Sequence, residues 1–186
     1  MSVAGWDALA REVAGCALCP ELVRTRRTVV VGDAPAGARL LLVGEAPGAA
    51  EDESGRPFVG KAGQLLDALL AEAGLPRERV AVINVLRCRP PGNRAPKPAE
   101  VSACAAWRDQ QIGLVDPALT VALGATAVRT LLGKVPSLAS ARGVVHAPAG
   151  RRTIATYHPS AAIRFGPAGA PMAALRADLA WAVSLL

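Results

Sequence analysis

Short apolar runs alternate with helical patterns along the chain, and this alternation restricts the fold more than any other feature. Four runs have the character of buried strands: 39–44, 80–86, 119–124 and 153–157. Apolar residues recur at helical spacing over 6–15, 61–73, 98–115, 125–132 and 171–185. Strands separated by helices pair in parallel through right-handed crossovers. We therefore expect an α/β fold, a three-layer α/β/α sandwich around a mainly parallel four-stranded sheet, with residues 1–186 forming one domain.

The segment 44–63, GEAPGAAEDESGRPFVGKAG, follows the first predicted strand and ends where a helical pattern begins. Its glycines and prolines predict a loop at the carboxyl end of a strand, which is where open α/β sheets bind ligands. The loop contains one aromatic residue, Phe58, and the carboxylates Glu45, Glu51, Asp52 and Glu53. Alone, it reads as an acidic surface turn. Four cysteines and a late His-Pro-Ser elsewhere in the chain favour a ligand site instead.

The four cysteines form a C-x2-C pair, Cys16 and Cys19, and a distant pair, Cys88 and Cys104. No apolar run approaches the ~20 residues of a membrane span, and the N-terminus lacks the design of a signal peptide. We therefore expect a cytoplasmic protein with no membrane association, whose reduced thiols are ligands rather than disulfides. The spacing is compatible with zinc and with a [4Fe–4S] cluster. Buried structural cysteines are a third interpretation, which the C-x2-C pair disfavours.

The region from Arg87 to Cys104, which contains the last two cysteines, is basic and rich in proline. The formal net charge of the chain is +6, which suits a polyanionic partner. Prolines at 90, 91, 96 and 98 make this loop stiff, and its cations are Arg87, Arg89, Arg94 and Lys97. Cations in a stiff loop anchored by a metal suit a phosphate backbone that is gripped without being read for sequence. The alternative is a solvated basic loop.

Five motifs occur in an order that resembles the family 4 uracil-DNA glycosylases, whose members carry an iron–sulfur cluster. They are GEAPG at 44–48, ED at 51–52, GRPFVGKAGQLL at 55–66, NVLRCRPPGNRAP at 84–96 and YHPS at 157–160. The resemblance implies a hydrolase of base excision repair that flips uracil out of DNA, hydrolyses its N-glycosidic bond and leaves an abasic site. It also implies that Cys16, Cys19, Cys88 and Cys104 hold one [4Fe–4S] cluster, which pins the N-terminal helix to the basic loop. We expect a monomer whose partner is uracil-containing DNA.

Uracil recognition requires a stacking surface and a group that reads the edge of the base. Phe58 lies in a polar loop, where a core residue would be out of place, and its ring offers a face for a pyrimidine. Asn84 lies in an apolar strand, and its amide can donate to uracil O4 while it accepts from N3–H. Cytosine reverses that pattern, so Asn84 would discriminate between the two bases. The alternative for Asn84 is a strand-end amide that bonds to backbone.

Catalysis requires stabilisation of the departing base and a positioned water. The resemblance implies that His158 donates to uracil O2 as negative charge develops there, and that Ser160 and Arg164 contact flanking phosphates. Glu45 is expected to orient water or to stabilise the sugar cation. Backbone groups of Glu45, Ala46 and Pro47 are expected to line the pocket. Glu51 is expected to lie against C5 of the base and to exclude the methyl group of thymine.

Two other functions fit parts of the sequence. A relative of the family binds uracil in DNA and becomes cross-linked through a histidine in an inserted loop, but the matching region here, RCRPPGNRAPKPAE, contains no histidine. A zinc-anchored nucleic-acid-binding module explains the charge and the cysteines but leaves Asn84, Phe58 and His158 without a role. The segment 142–152 is interpreted as a short extra hairpin at a sheet edge.

Overall fold

A computed structural model describes residues 3–186, with side chains from residue 5 onward. The strands are β1 (Leu40–Gly44), β2 (Val80–Asn84), β3 (Leu119–Leu123) and β4 (Thr153–Thr156). They form one sheet in the order β2-β1-β3-β4, and every pairing is parallel. The expected four-stranded sheet is therefore confirmed. β1 ends at its predicted limit, and β2, β3 and β4 end one or two residues before theirs.

The helices before β3 are α1 (Val3–Ala14), α2 (Pro20–Thr25), α3 (Ala49–Ser54), α4 (Lys61–Glu72), α5 (Pro98–Ala103) and α6 (Ala105–Val115). Those after it are α7 (Gly124–Leu132), α8 (Leu138–Ala141), α9 (Pro159–Phe165) and α10 (Ala170–Ser184). In the described residues no helix combines the length and the apolar character needed to cross a bilayer.

Every residue of the four strands is buried, which explains why they read as continuous apolar runs. Side chains alternate between the two faces of the sheet. Leu40 and Leu42 pack against α4, α9 and α10, whereas Leu41 and Val43 pack against α1, α6, α7 and α8. The three-layer α/β/α architecture is confirmed by these two cores.

Three predictions from the sequence differ from the structure. The helix over 98–115 is two helices, α5 and α6, that meet at Cys104. The segment 44–63 is not loop throughout, because α3 lies inside it. The extra hairpin over 142–152 is reduced to one antiparallel bridge between His146 and Thr153, since the 3-10 turn Pro148–Gly150 interrupts extended backbone there.

The order of the strands locates the site. Beginning from β1, the chain adds β2 on one side and then crosses back to place β3 on the other. The topological switch point is therefore between β1 and β3. In open α/β sheets, ligands bind outside the carboxyl ends of the strands at such a point.

Candidate active site

The carboxyl ends of the strands share one edge of the sheet and line a cavity of about 250 Å³. Glu45 follows β1, Asn84 ends β2, and His158 follows β4 by one intervening residue. The cavity is lined by Glu45, Ala46, Pro47, Gly48, Glu51, Phe58, Ala62, Asn84, Pro90, Asn93, Arg94, His158 and Ser160. Every side chain expected to bind the base therefore reaches one cavity, although these residues are far apart in sequence.

Asn84 is 3% exposed, and its Oδ1 has no hydrogen-bond partner. Among the described residues, the Asn84 side chain makes no hydrogen bond to backbone. The alternative interpretation, a strand-end amide that bonds to backbone, is therefore not observed. A buried amide oxygen without a partner costs about 1–3 kcal/mol. Asn84 also lines the cavity, so its amide is next to the space that a ligand would occupy.

Phe58 is 7% exposed and belongs to the core beneath α4, which corrects the expectation that a core residue would be out of place in its loop. Its backbone has a positive φ of 55°, which is uncommon for a residue other than glycine. The ring also forms a wall of the cavity, and its centroid is 5.6 Å from that of His158. Phe58 thus serves the core and the cavity at once.

His158 has a defined tautomer. It caps the N-terminus of α9, and its Nδ1 accepts the backbone N–H of Ser160 at 3.2 Å, with the Ser160 hydroxyl 2.8 Å away. Because Nδ1 accepts, the proton of the neutral ring is on Nε2. Burial lowers the pKa of His158, while the nearby carboxylates of Glu45 and Glu51 act in the opposite direction. The ring is therefore neutral near pH 7, and its Nε2–H has no partner among the described side chains.

Glu45 is held from two directions. Its backbone carbonyl accepts the N–H of Leu86 at 3.0 Å, and its carboxylate Oε2 accepts the hydroxyl of Thr126 in α7. Thr126 is a contact that the sequence analysis missed, since LGATAVRTLL reads only as the start of a helix. Its position just after β3, at the same sheet edge, is the one signal that could have drawn attention to it.

Glu51 and Asp52 are buried and bind backbone. Glu51 Oε2 accepts from Gly48 at 3.0 Å, and its Oε1 accepts from Val59 at 3.0 Å and from Gly60 at 2.9 Å. Asp52 Oδ1 accepts the backbone N–H groups of residues 27 and 28 at 2.9 and 3.3 Å. These carboxylates close the loop between β1 and α4 and attach it to the segment after α2. Glu51 is consequently a fixed wall of the cavity.

The predicted phosphate-binding cations have different environments. Arg87 is 1% exposed and donates to the backbone carbonyl of Asn84, so its prediction as a phosphate contact is wrong. Arg94 makes a bidentate pair with Glu100, at 2.9 and 2.5 Å, and Lys97 pairs with Glu21. These pairs raise the pKa of Arg94 and lower that of Glu100. These three cations of the basic loop are therefore already bound to other groups of the same chain.

Three of the predicted DNA contacts, Arg164, Ser160 and Arg89, remain accessible. Arg164 is exposed on α9, where the described residues give it no ion pair, and Ser160 is exposed at the start of the same helix. Arg89 donates from Nε to Asn93 Oδ1 at 2.8 Å, beside the mouth of the cavity.

The four cysteines line a second, smaller cavity. Cys16 follows α1, Cys19 precedes α2, Cys88 follows β2, and Cys104 lies between α5 and α6. All four are free thiols. Burial raises the pKa of Cys19 and of Cys88, and for Cys88 a hydrogen bond from Arg26 acts in the opposite direction.

Nitrogen donors surround this cysteine cavity. Arg26 Nη1 donates to Cys88 Sγ at 2.8 Å, and Trp107 Nε1 donates to Cys16 Sγ at 3.3 Å. Burial lowers the pKa of Arg87 to about 10, and its Nε and Nη2 are buried without partners beside the sulfurs. Across the described chain no group of three or more His, Cys, Asp or Glu is arranged to hold a metal ion.

Known proteins resemble this chain over most of its length. The family model of the Uracil DNA glycosylase superfamily matches residues 31–180, which include all four strands. A type-4 uracil-DNA glycosylase of Thermotoga maritima is 44% identical over 160 residues, covering 85% of this chain and 83% of the relative. One of Pyrobaculum aerophilum is 41% identical, covering 82% and 81%. One of Sulfurisphaera tokodaii is 37% identical, covering 84% and 75%.

Proposed function

The chain belongs to the type-4 uracil-DNA glycosylases of the Uracil DNA glycosylase superfamily, and from this premise we propose that it is a repair enzyme that removes uracil from DNA. The reaction is hydrolysis of the bond between uracil N1 and deoxyribose C1′. One observation carries the proposal: Asn84, whose Oδ1 is buried without a hydrogen-bond partner, lines the same cavity as His158 and Glu45. Because that cavity takes a single base, the target nucleotide must leave the base stack.

Asn84 and Phe58 select the base. Asn84 Oδ1 accepts uracil N3–H, and its amide nitrogen donates to O4. Cytosine lacks the N3–H and carries a donor at C4, so it would leave the Asn84 amide mismatched in a buried site. The ring of Phe58 supplies the stacking face. The fixed carboxylate of Glu51 bounds the cavity together with Ala46 and Pro47, and we propose that this wall excludes a methyl group at C5.

His158 stabilises the departing base. The C1′–N1 bond breaks with its electron pair on the uracil, whose negative charge is shared with O2. The Nε2–H of His158 donates to that oxygen. Such a preorganised donor interacts more strongly with the anion than with the neutral base, which lowers the barrier.

Glu45 acts on the sugar side. Its carboxylate orients a water molecule whose oxygen bonds to C1′, and it accepts the proton that this water loses. The uracil anion takes up one proton from solvent, so the products are uracil and an abasic deoxyribose. The same negative charge favours the cationic character that develops on the sugar.

We propose that Cys16, Cys19, Cys88 and Cys104 are the ligands of a [4Fe–4S] cluster, because these four thiols line one cavity. A cluster presents four iron atoms, so its four thiolates need not lie within reach of one ion. Cluster-bound sulfurs accept hydrogen bonds, which Arg26 and Trp107 supply, and the unpartnered nitrogens of Arg87 suit a negatively charged group. When bound, the cluster supplies a structural cross-link between the start of the chain and the segment that follows β2.

The DNA backbone is contacted around the mouth of the cavity. Ser160 and Arg164 lie on α9, whose N-terminus His158 caps, and Arg89 donates to Asn93, which lines the cavity. Arg94 and Lys97 are ion-paired with Glu100 and Glu21, so we propose that they meet phosphate by sharing or leaving those pairs. We also expect the protein to act as a cytoplasmic monomer on uracil-containing DNA.

The test is release of free uracil from DNA that carries one labelled uracil, measured in single-turnover reactions. We expect uracil and alkali-labile abasic sites from the parental protein, and a rate lower by about 100- to 1000-fold for His158→Ala. His146→Ala is the matched control, because this second histidine lies beside the amino end of β4, where its ring contacts the Ala141 carbonyl at 2.8 Å. DNA that stays bound or cross-linked without release of uracil would contradict turnover.

A further inference from the structure

The hydroxyl of Thr126 reaches out of its own helix to the carboxylate of Glu45. Thr126 lies in the first turn of α7, two residues after the glycine that follows β3. We propose that Thr126 is a positioning residue, which fixes one oxygen of Glu45 so that the other faces the reacting sugar. This inference rests on the proposed function and deepens it.

The Thr126 hydroxyl bonds outside its own helix, because three and four residues earlier the chain is still in β3. Threonine in a helix commonly bonds to the carbonyl three or four residues earlier. Thr130, one turn further along α7, does so and donates to the Thr126 carbonyl at 2.7 Å. Thr126 instead donates across the gap between β3 and β1. Since a β-branched side chain has few allowed rotamers, the donor is held in a fixed direction.

The two oxygens of Glu45 have different roles in this arrangement. Oε2 accepts from Thr126, whereas Oε1 has no hydrogen-bond partner among the described residues. The carboxylate lines the cavity, and it is close enough to His158 to affect the pKa of that ring. Without the Thr126 contact, the side chain of Glu45 could rotate about its own bonds, because only its backbone carbonyl would stay anchored.

The topology explains why the contact exists. Glu45 follows β1 and Thr126 follows β3, and these strands are neighbours on either side of the switch point. The first turn of α7 also presents unpaired backbone N–H groups, which favour a negative charge nearby. The Thr126 hydroxyl therefore connects the two strand ends between which the reacting nucleotide is expected to lie.

The test compares Thr126→Val, which preserves shape and removes the donor, with Thr126→Ser, which restores it. Loss of one hydrogen bond to a charged group predicts a single-turnover rate of uracil release lower by about 10- to 100-fold for Thr126→Val. We expect Thr126→Ser to recover most of that loss. Affinity for DNA with an abasic analogue should stay within about 2-fold, since the phosphate contacts are elsewhere. Thr130→Val is the matched control and should keep the parental rate.

A double-mutant cycle tests whether Thr126 acts through Glu45. In a Glu45→Ala background, Thr126→Val should slow the reaction by less than about 2-fold. A Thr126→Val protein that works at the parental rate, or that slows equally with and without Glu45, would overturn the inference.

Crystal structures of the parental and Thr126→Val proteins provide a readout that does not depend on turnover. We expect one ordered Glu45 side chain in the parental protein and a displaced or multiple side chain in the variant. An unchanged Glu45 in the variant would refute the positioning role. A parental protein that releases no uracil would instead refute the proposed function, while these structures still test the role of Thr126.

Discussion

At the residue scale, the polar side chains of the cavity differ in whether the protein itself supplies their hydrogen-bond partners. Both oxygens of Glu51 are occupied by three backbone N–H groups, so this side chain supports the loop. Asn84 Oδ1 is buried without a partner, and the free Nε2–H of His158 lies in the same cavity. Buried polar groups are normally paired within the protein. Among the residues that line the cavity, the unpaired groups therefore indicate where a ligand can supply the missing partner.

Asn84→Ala should slow uracil excision without weakening the fold. The substitution removes the reading group for uracil, so we expect kcat/KM to fall by about 10- to 100-fold. It also removes a buried unpartnered oxygen, so thermal unfolding should change little. Gln111→Ala is the control, because Gln111 has a second buried unpartnered amide oxygen but lies on α6, outside the cavity. Its rate should match the parental rate. Unchanged uracil kinetics in Asn84→Ala would exclude the reading role.

The pH dependence of the reaction should reflect a neutral His158. Burial holds the pKa of His158 below its usual 6.5, and Nδ1 must stay unprotonated to accept from Ser160. The single-turnover rate should therefore stay level as the pH falls through 6.5 and decrease only below it. Between the ordinary pKa of histidine and the lower pKa of folded His158, this residue binds a proton in the unfolded chain but not in the folded one. The free energy of unfolding therefore falls as the pH drops through this range. A rate that is lost above pH 6.5 would contradict a neutral donor.

At the scale of secondary-structure elements, the site depends on how closely the strand ends approach one another. Gly124 has a positive φ of 86°, and a Cβ there would lie 2.9 Å from the His158 Cβ. At the end of β1, a Cβ on Gly44 would lie 2.4 Å from Asn84 Oδ1 and 2.6 Å from Phe58 Cζ. These two glycines allow the chain segments that carry the site residues to pack in direct contact.

Gly44→Ala tests this close approach. The added methyl group must displace the amide of Asn84 and the ring of Phe58, and a displacement of about 1 Å can cost roughly 100-fold in rate. We also expect a loss of about 1–3 kcal/mol in the free energy of unfolding through overpacking. Gly113→Ala is the control, since a Cβ at this helical position of α6 meets nothing within 4 Å. It should gain up to about 1 kcal/mol and keep the parental rate. Full activity in Gly44→Ala would show that the reaction does not require the close approach of Gly44 to Asn84 and Phe58.

At the scale of the whole molecule, the catalytic edge and the cysteine cavity are joined by one short segment. Asn84 ends β2, and Cys88 follows four residues later, with the buried Arg87 between them. A third small core, formed by Leu9, Val13, Leu22, Val29 and Leu86, packs around Cys88 and Cys104. A cluster at this point would anchor the start of the chain to the strand that carries the uracil-reading amide.

Removal of iron should loosen this region and leave the rest of the sheet intact. If the cluster acts as a cross-link worth about 2–4 kcal/mol, its loss should lower the unfolding temperature by roughly 5–15 °C. Hydrogen exchange should quicken over residues 16–30 and 85–104, whereas β1, β3 and β4 should stay protected. Reconstitution with iron and sulfide should reverse the change. Stoichiometric zinc with no iron or sulfide, in protein prepared without oxygen, would contradict the cluster.

The salt dependence of DNA binding should identify which cations face phosphate. Arg164→Ala should reduce the slope of log Kd against log salt by about 1, because one phosphate contact is lost. Arg129→Ala is the control, since this exposed arginine is in the last turn of α7, away from the site edge. Arg87→Ala should reduce stability instead, because Arg87 is buried. An unchanged slope in Arg164→Ala would remove this residue from the DNA surface.

Local pattern in the sequence was sufficient for the strands and the principal helices. Runs such as Leu40–Gly44 are apolar throughout because the sheet is buried on both faces, and this character is visible without tertiary information. The motifs after the strands also indicated the site edge, since the carboxyl ends of parallel strands must lie together. Short helices such as α3 and α9 were missed, because their few residues contain no complete apolar period.

The amino-acid sequence therefore determined the layers, the sheet and the edge at which the site lies, because these follow from periodicity and chain order. Only the tertiary structure decided which polar atoms are satisfied. It paired Glu51 with backbone, left Asn84 Oδ1 unpaired, buried Arg87 and connected Glu45 to Thr126. Residues 45 and 126 are far apart in sequence, so their contact depends on the pairing of β1 with β3 and on the angle at which α7 leaves the sheet. Long-range packing sets the strand pairing and the helix angle, and neither can be predicted from a local sequence pattern.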